Sequence, residues 1–127
     1  MRLILVRHAE AAPGDPDDLR PLTPAGRDAA RRLAERLAAL EPDAVVSSPL
    51  LRARETAQPI AEAAGVDPEV DERLAPGATA DDLRAAVAGR GATVVAVGHQ
   101  PDCSAAVLEL SGREVGFPPG GVEELEL

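Results

Sequence analysis

The chain has 127 residues, 22 Asp and Glu against 13 basic residues, a formal net charge of −9 and 45% hydrophobic residues. That length predicts a single domain over residues 1–127, and the acidic balance disfavours nucleic acid and anionic membranes as partners, both of which need broad basic surfaces. All 13 basic residues are Arg, which excludes a Walker phosphate loop, and Phe117 is the only aromatic residue, which excludes base stacking on aromatics.

The N-terminal run Leu3-Ile4-Leu5-Val6 is uniformly apolar and bounded, the pattern of a strand buried on both faces of a parallel sheet. It is too short for a signal sequence or a membrane span, and the lone Cys103 suits a reducing compartment, so a cytoplasmic protein is expected. After a loop over 11–18, Thr23 as N-cap and Pro24 at the first turn open a helix whose Ala30, Leu33, Leu37 and Leu40 recur at helical spacing until Pro42. Ala44-Val45-Val46 is a second buried strand. Ser48 and Pro49 open a second helix through Ala64, closed by Gly65, with Pro59 expected to kink or split it.

A loop is expected over 66–78. Thr79 and Asp82 then form a capping-box pattern ahead of a third helix ending at Gly89. Thr93 to Val97 is the third buried strand, and a fourth helix runs from about Asp102 to Leu110 and stops at Gly112. Past a loop over 114–121, Val122 to Leu127 reads as a strand at the sheet edge. Strands alternating with helices in this way predict an α/β fold with a mainly parallel sheet covered on both faces.

In open α/β sheets ligands bind beyond the carboxyl ends of the strands. Arg7 and His8 follow the first apolar run; Ser47, Ser48, Arg52 and Arg54 follow the second; Gly98, His99 and Gln100 follow the third. Both histidines of the chain thus fall at corresponding strand ends, and two to three arginines come with the pair. In an acidic protein, such a local cluster points to an anion with several oxygens, best matched by a phosphoryl group held in planar Arg forks.

Other chemistries fit less well. A cysteine phosphatase needs Arg six positions after its thiol, where this chain has Glu109. Asp15, Asp17 and Asp18 follow Pro13 and Gly14 in a loop and read as a solvated acidic stretch, not as a metal site or an aspartyl nucleophile. A zinc ion on His8 and His99 would sit beside Arg7 and Arg52, and repulsion argues against it. Gly89-Arg90-Gly91 precedes a strand and lacks a third Gly, so it is no dinucleotide fingerprint. Neither a metal nor a cofactor is expected.

Arg7-His8-Ala9-Glu10, Arg20-Pro21-Leu22-Thr23 with Gly26, Ser47-Ser48-Pro49-Leu50-Leu51-Arg52-Ala53 with Thr56, and Gly98-His99 occur in the order of the histidine phosphatase superfamily. Chain length and Gly98-His99-Gln100-Pro101-Asp102 resemble its short branch, the phosphohistidine phosphatases of signalling proteins. The resemblance implies a three-layer α/β/α fold of the phosphoglycerate mutase type. It also implies that His8 is a nucleophile transiently phosphorylated on a ring nitrogen, and that Arg7, Arg52 and His99 surround the phosphoryl oxygens.

In that role His8 must be neutral, with its other nitrogen hydrogen-bonded, and His99 would serve best as a cation. Arg20 is a candidate to reach the site from its loop, whereas Arg54, two positions from Arg52, is expected to face solvent. Ala9 stands where the wider family has Gly, and the region that carries a general acid in many members is short here. Asp71, Glu72 and Asp102 are the candidates for that acid. An acid-poor site suits phosphohistidine, because an imidazole leaves with far less need of a proton than an alkoxide. The expected substrate is a phosphorylated protein, with a small phosphate ester turned over by a broad phosphomonoesterase, or an inactive phosphate-binding module, as the alternatives.

Overall fold

The computed structural model describes residues 1–127. Five strands form one sheet: β1 (Arg2–Arg7), β2 (Ala44–Ser47), β3 (Pro68–Val70), β4 (Thr93–Gly98) and β5 (Val122–Glu126). Their order is β3-β2-β4-β1-β5, parallel except for β5, which runs antiparallel along β1 at the edge. The helices are α1 (Pro24–Ala38), α2 (Leu51–Ala64), α3 (Ala80–Val87) and α4 (Asp102–Ser111).

The period-2 pleat divides the apolar runs between two cores. Ile4, Val6, Val45, Val95 and Val97 pack against Leu33, Ala34 and Leu37 of α1 and Ala53, Ala57, Ile60 and Ala61 of α2. Leu3, Leu5, Val46, Val94 and Ala96 meet Leu83, Ala86 and Val87 of α3, Cys103, Ala106 and Val107 of α4, and Phe117. This is the three-layer α/β/α arrangement, and it explains why the central strands show no alternation of polar residues. No helix is long and apolar enough to cross a membrane.

The caps fall where the residues require them. Thr23 Oγ1 accepts from Gly26 N with Pro24 in the first turn, and Thr79 and Asp82 close a reciprocal capping box. Gly65 ends α2 at φ 73°, a left-handed position that suits glycine.

Three expectations need correction. Helix α2 starts at Leu51, not at Ser48, because Ser48 N still extends the strand pattern by donating to Val97 O (3.0 Å). It also runs unbroken through Pro59, with buried residues on both sides of the proline holding it to the sheet. The stretch 66–78 is not all loop. It contains β3, paired in parallel with β2, and a 3₁₀ turn at Glu72–Leu74. Proline at its start and three exposed residues leave β3 without an apolar signature.

Candidate active site

The register of the parallel strands sets the site. Arg7 of β1 lies opposite Gly98 of β4, and Ser47 of β2 opposite Val97, so His8, Ser48 and His99 emerge side by side from the carboxyl edge. His8 N donates to Gly98 O (3.0 Å), tying the two histidine-bearing segments together where their strands end. The ring centroids of His8 and His99 are 5.3 Å apart, with planes inclined at 56°.

His8 is 9% exposed. Its Nδ1 lies 2.7 Å from Ala9 O, and a carbonyl oxygen only accepts, so Nδ1 carries the proton and the Nε2 lone pair is free. Burial holds the His8 pKa below its ordinary value, assisted by the positive charges of Arg52, Arg7 and Arg20 and opposed by the Ala9 hydrogen bond.

His99, 4% exposed, shares a 2.7 Å hydrogen bond between Nε2 and Ser48 Oγ. One flank of its ring borders a small apolar cavity lined by Leu5, Leu74, Leu83 and Ala106. Burial, with His8 and Arg52 adding to it and Asp17 opposing, lowers its pKa to about 4. The expectation of a cationic His99 is therefore corrected for the free protein: desolvation among guanidinium groups keeps the ring neutral near pH 7.

Arg7 Nη1 donates to Phe117 O (2.9 Å), which draws the 114–121 loop over the end of β1. Arg52, 7% exposed on the first turn of α2, donates from Nη1 to Asp17 O (2.9 Å) and from Nη2 to Asp17 Oδ2 (3.1 Å). Arg20 reaches the same carboxylate, Nη1 to Asp17 Oδ1 (3.0 Å), while its Nε donates to Ala12 O (2.8 Å). Arg54 is exposed and donates to Pro49 O (3.0 Å). Two buried side-chain nitrogens in the molecule have no hydrogen-bond partner, Arg7 Nε and His99 Nδ1, and both belong to this cluster. Buried polar atoms are rarely left so outside functional sites.

Asp17 is the residue that the sequence pattern hid. Read as part of a solvated acidic stretch, it bridges two arginines from a 3₁₀ turn at Asp17–Leu19. Ser48 and Thr56 also do more than the pattern reveals. Thr56 Oγ1 donates to Arg52 O (2.8 Å) and accepts from Ala9 N (3.0 Å), so one buried hydroxyl locks the His8 segment to the helix carrying Arg52. On the other side, Thr23 N donates to Glu10 O (3.0 Å). Gly26 lies so close that a Cβ there would sit 2.1 Å from Glu10 O.

The three candidate acids are placed otherwise. Asp71 is buried, accepts from Arg73 (Nε 3.0 Å, Nη2 2.8 Å) and Arg90 (3.1 Å), and those bonds hold its carboxyl far below the usual range, which unsuits it for giving up a proton. Asp102 Oδ2 accepts from Gly77 N (2.9 Å), fastening the preceding loop to α4. Glu72 is exposed. None of the three is hydrogen-bonded to His8, His99, Arg7 or Arg52. No group of three or more His, Cys, Asp or Glu is arranged to hold a metal ion.

The sheet edge thus gathers two close imidazoles, one with an unprotonated Nε2, and three guanidinium groups. Residues 3–76 match the Histidine phosphatase superfamily (branch 1). A protein of Picosynechococcus sp. of unassigned function is 40% identical over 112 residues, covering 80% of this chain and 68% of its own. The structure of the protein histidine phosphatase SixA complexed with tungstate superposes with a TM-score of 0.87 at 28% identity, over 100% of this chain and 88% of the other. A protein of Agrobacterium tumefaciens proposed to be a phosphohistidine phosphatase SixA gives 0.83 at 30%, over 98% and 90%. The chain belongs to the histidine phosphatase superfamily, and it is a hydrolase of that type. Within the superfamily it falls in the SixA-like branch.

Proposed function

We propose that the protein removes phosphoryl groups from phosphohistidine on a protein partner, by way of a phosphorylated His8. The observation that carries this reading is the His8–Ala9 hydrogen bond, which leaves Nε2 unprotonated beside His99 and within the field of the arginines. In the first step the Nε2 lone pair forms a bond to phosphorus while the P–N bond of the substrate breaks, and the departing imidazole takes its proton from solvent. In the second, a water oxygen attacks phosphorus, the P–Nε2 bond breaks, and orthophosphate leaves. The Nδ1–H bond to Ala9 O steadies the positive ring in between.

Arg7, Arg52 and His99 hold the transferring oxygens, which is most of what phosphoryl transfer asks of a protein. A bound dianion reverses the electrostatics around His99 and favours its protonated form. The proton then serves the oxyanion. With Asp71 held by Arg73 and Arg90, and neither Asp102 nor Glu72 hydrogen-bonded to His8, His99, Arg7 or Arg52, the site suits a leaving group that needs little acid assistance, as an imidazole does.

The test is His8→Ala assayed with a phosphohistidine-bearing protein labelled on phosphorus. Turnover and label trapped on the enzyme should both vanish; retained turnover would reject the mechanism. Equal or faster hydrolysis of p-nitrophenyl phosphate and phosphoglycerate by the native protein would reject the substrate class.

A further inference from the structure

The Arg52 and Arg20 guanidinium groups are bridged, in the protein as it stands, by an anion of the protein's own. Asp17 gives one carboxylate oxygen to each arginine, and its main-chain carbonyl takes a further N–H of Arg52. Arg52 is all but buried while the Asp17 side chain is 58% exposed, so the pair is lopsided: a fixed cation below and a movable carboxylate above. No residue of the Asp17–Leu19 turn is buried, and no side chain caps it. It can lift without disturbing either core.

We propose that Asp17 is an affinity- and specificity-determining residue, a resident carboxylate that an incoming phosphoryl group must displace from Arg52. The proposal rests on Arg52 being part of the phosphoryl cradle. With both imidazoles neutral, the Arg52 and Arg20 charges face the Asp17 carboxylate and Arg7 stands near them on the Phe117 carbonyl, so a dianion that displaces Asp17 meets three guanidinium charges. A singly charged ligand that displaced Asp17 would exchange one such ion for another and gain little. A dianionic phosphoryl group gains a second charge–charge attraction in the exchange. The same competition acts on the product: a carboxylate tethered beside Arg52 returns as orthophosphate loosens, so a site rich in arginine does not retain its own product.

Orthophosphate binding to Asp17→Asn and Asp17→Ala, measured by calorimetry and as competitive inhibition, tests this directly. Asn keeps the shape and a hydrogen-bond acceptor and removes only the charge. Both variants should bind orthophosphate about three- to tenfold more tightly than the native protein, and Asp18→Asn, which removes an equal charge from the next, exposed position, should change affinity far less. Unchanged or weaker binding in both Asp17 variants would mean that Asp17 merely braces Arg52, and would overturn the proposal. An equal gain in Asp18→Asn would reduce it to general surface charge and overturn it as well. Arg52→Ala separates the two levels: if that variant binds orthophosphate as the native protein does, the cradle itself is misread and both readings fall.

Discussion

His8 and His99 owe their ionisation to position. Both are imidazoles at the end of a parallel strand, and both are desolvated there among arginines, so both resist taking up a proton as the pH falls. The free enzyme therefore keeps an unprotonated His8 to lower pH than an exposed histidine would, and kcat/KM should hold its value through pH 6.5, with the acid limb below that. A stopped assay against phosphohistidine protein from pH 4.5 to 8 checks this; an acid limb centred above 6.5 would contradict the electrostatics described here. The four residues Arg7, His8, Arg52 and His99 were legible because each stands at or just past a uniformly apolar run, or on the helix turn that follows one. Asp17 was not. Three aspartates share its loop, and no pattern along the chain tells which one meets an arginine 35 residues away.

At the scale of elements, the site is held by bonds between segments distant in the chain, and Thr56 is the clearest case. Thr56→Val keeps the shape of a fully buried side chain but strands the Ala9 N–H. Leaving such a donor unpaired costs about 1–3 kcal/mol, readable in urea denaturation, and turnover should fall with it as the His8 segment loosens from α2. Thr56→Ser should restore both. Gly26→Ala should cost a similar amount, about 1–3 kcal/mol, because its Cβ would press on Glu10 O and push α1 from the same segment. The strands β1, β2 and β4 and the capped starts of α1 and α3 were readable from periodicity and cap residues. Strand β3 was not, since three exposed residues beginning with proline have no apolar period and pair with β2 only because α2 returns the chain to the edge.

Over the whole molecule, the site concentrates cations at one edge of a chain whose net charge is −9. The two histidines couple this arrangement to stability. His99 has a folded pKa of about 4 against about 6.5 when unfolded, so between those values the unfolded chain binds more protons and stability falls as the pH is lowered. Above pH 6.5 the ring is neutral in both states and contributes nothing to the slope. By pH 4 the loss from His99 alone reaches about 3 kcal/mol. Acidification also relieves the repulsion among 22 carboxylates, an opposing trend that a bare Tm curve would mix in. His99→Asn removes the titrating ring and leaves that repulsion in place. The difference in unfolding free energy between native protein and variant, taken from urea curves at pH 7.5, 6, 5 and 4, should move against the native protein across this interval and stay flat above it. A difference independent of pH would mean that His99 is not desolvated, and with it would go the account of a site whose imidazoles stay neutral until an oxyanion arrives.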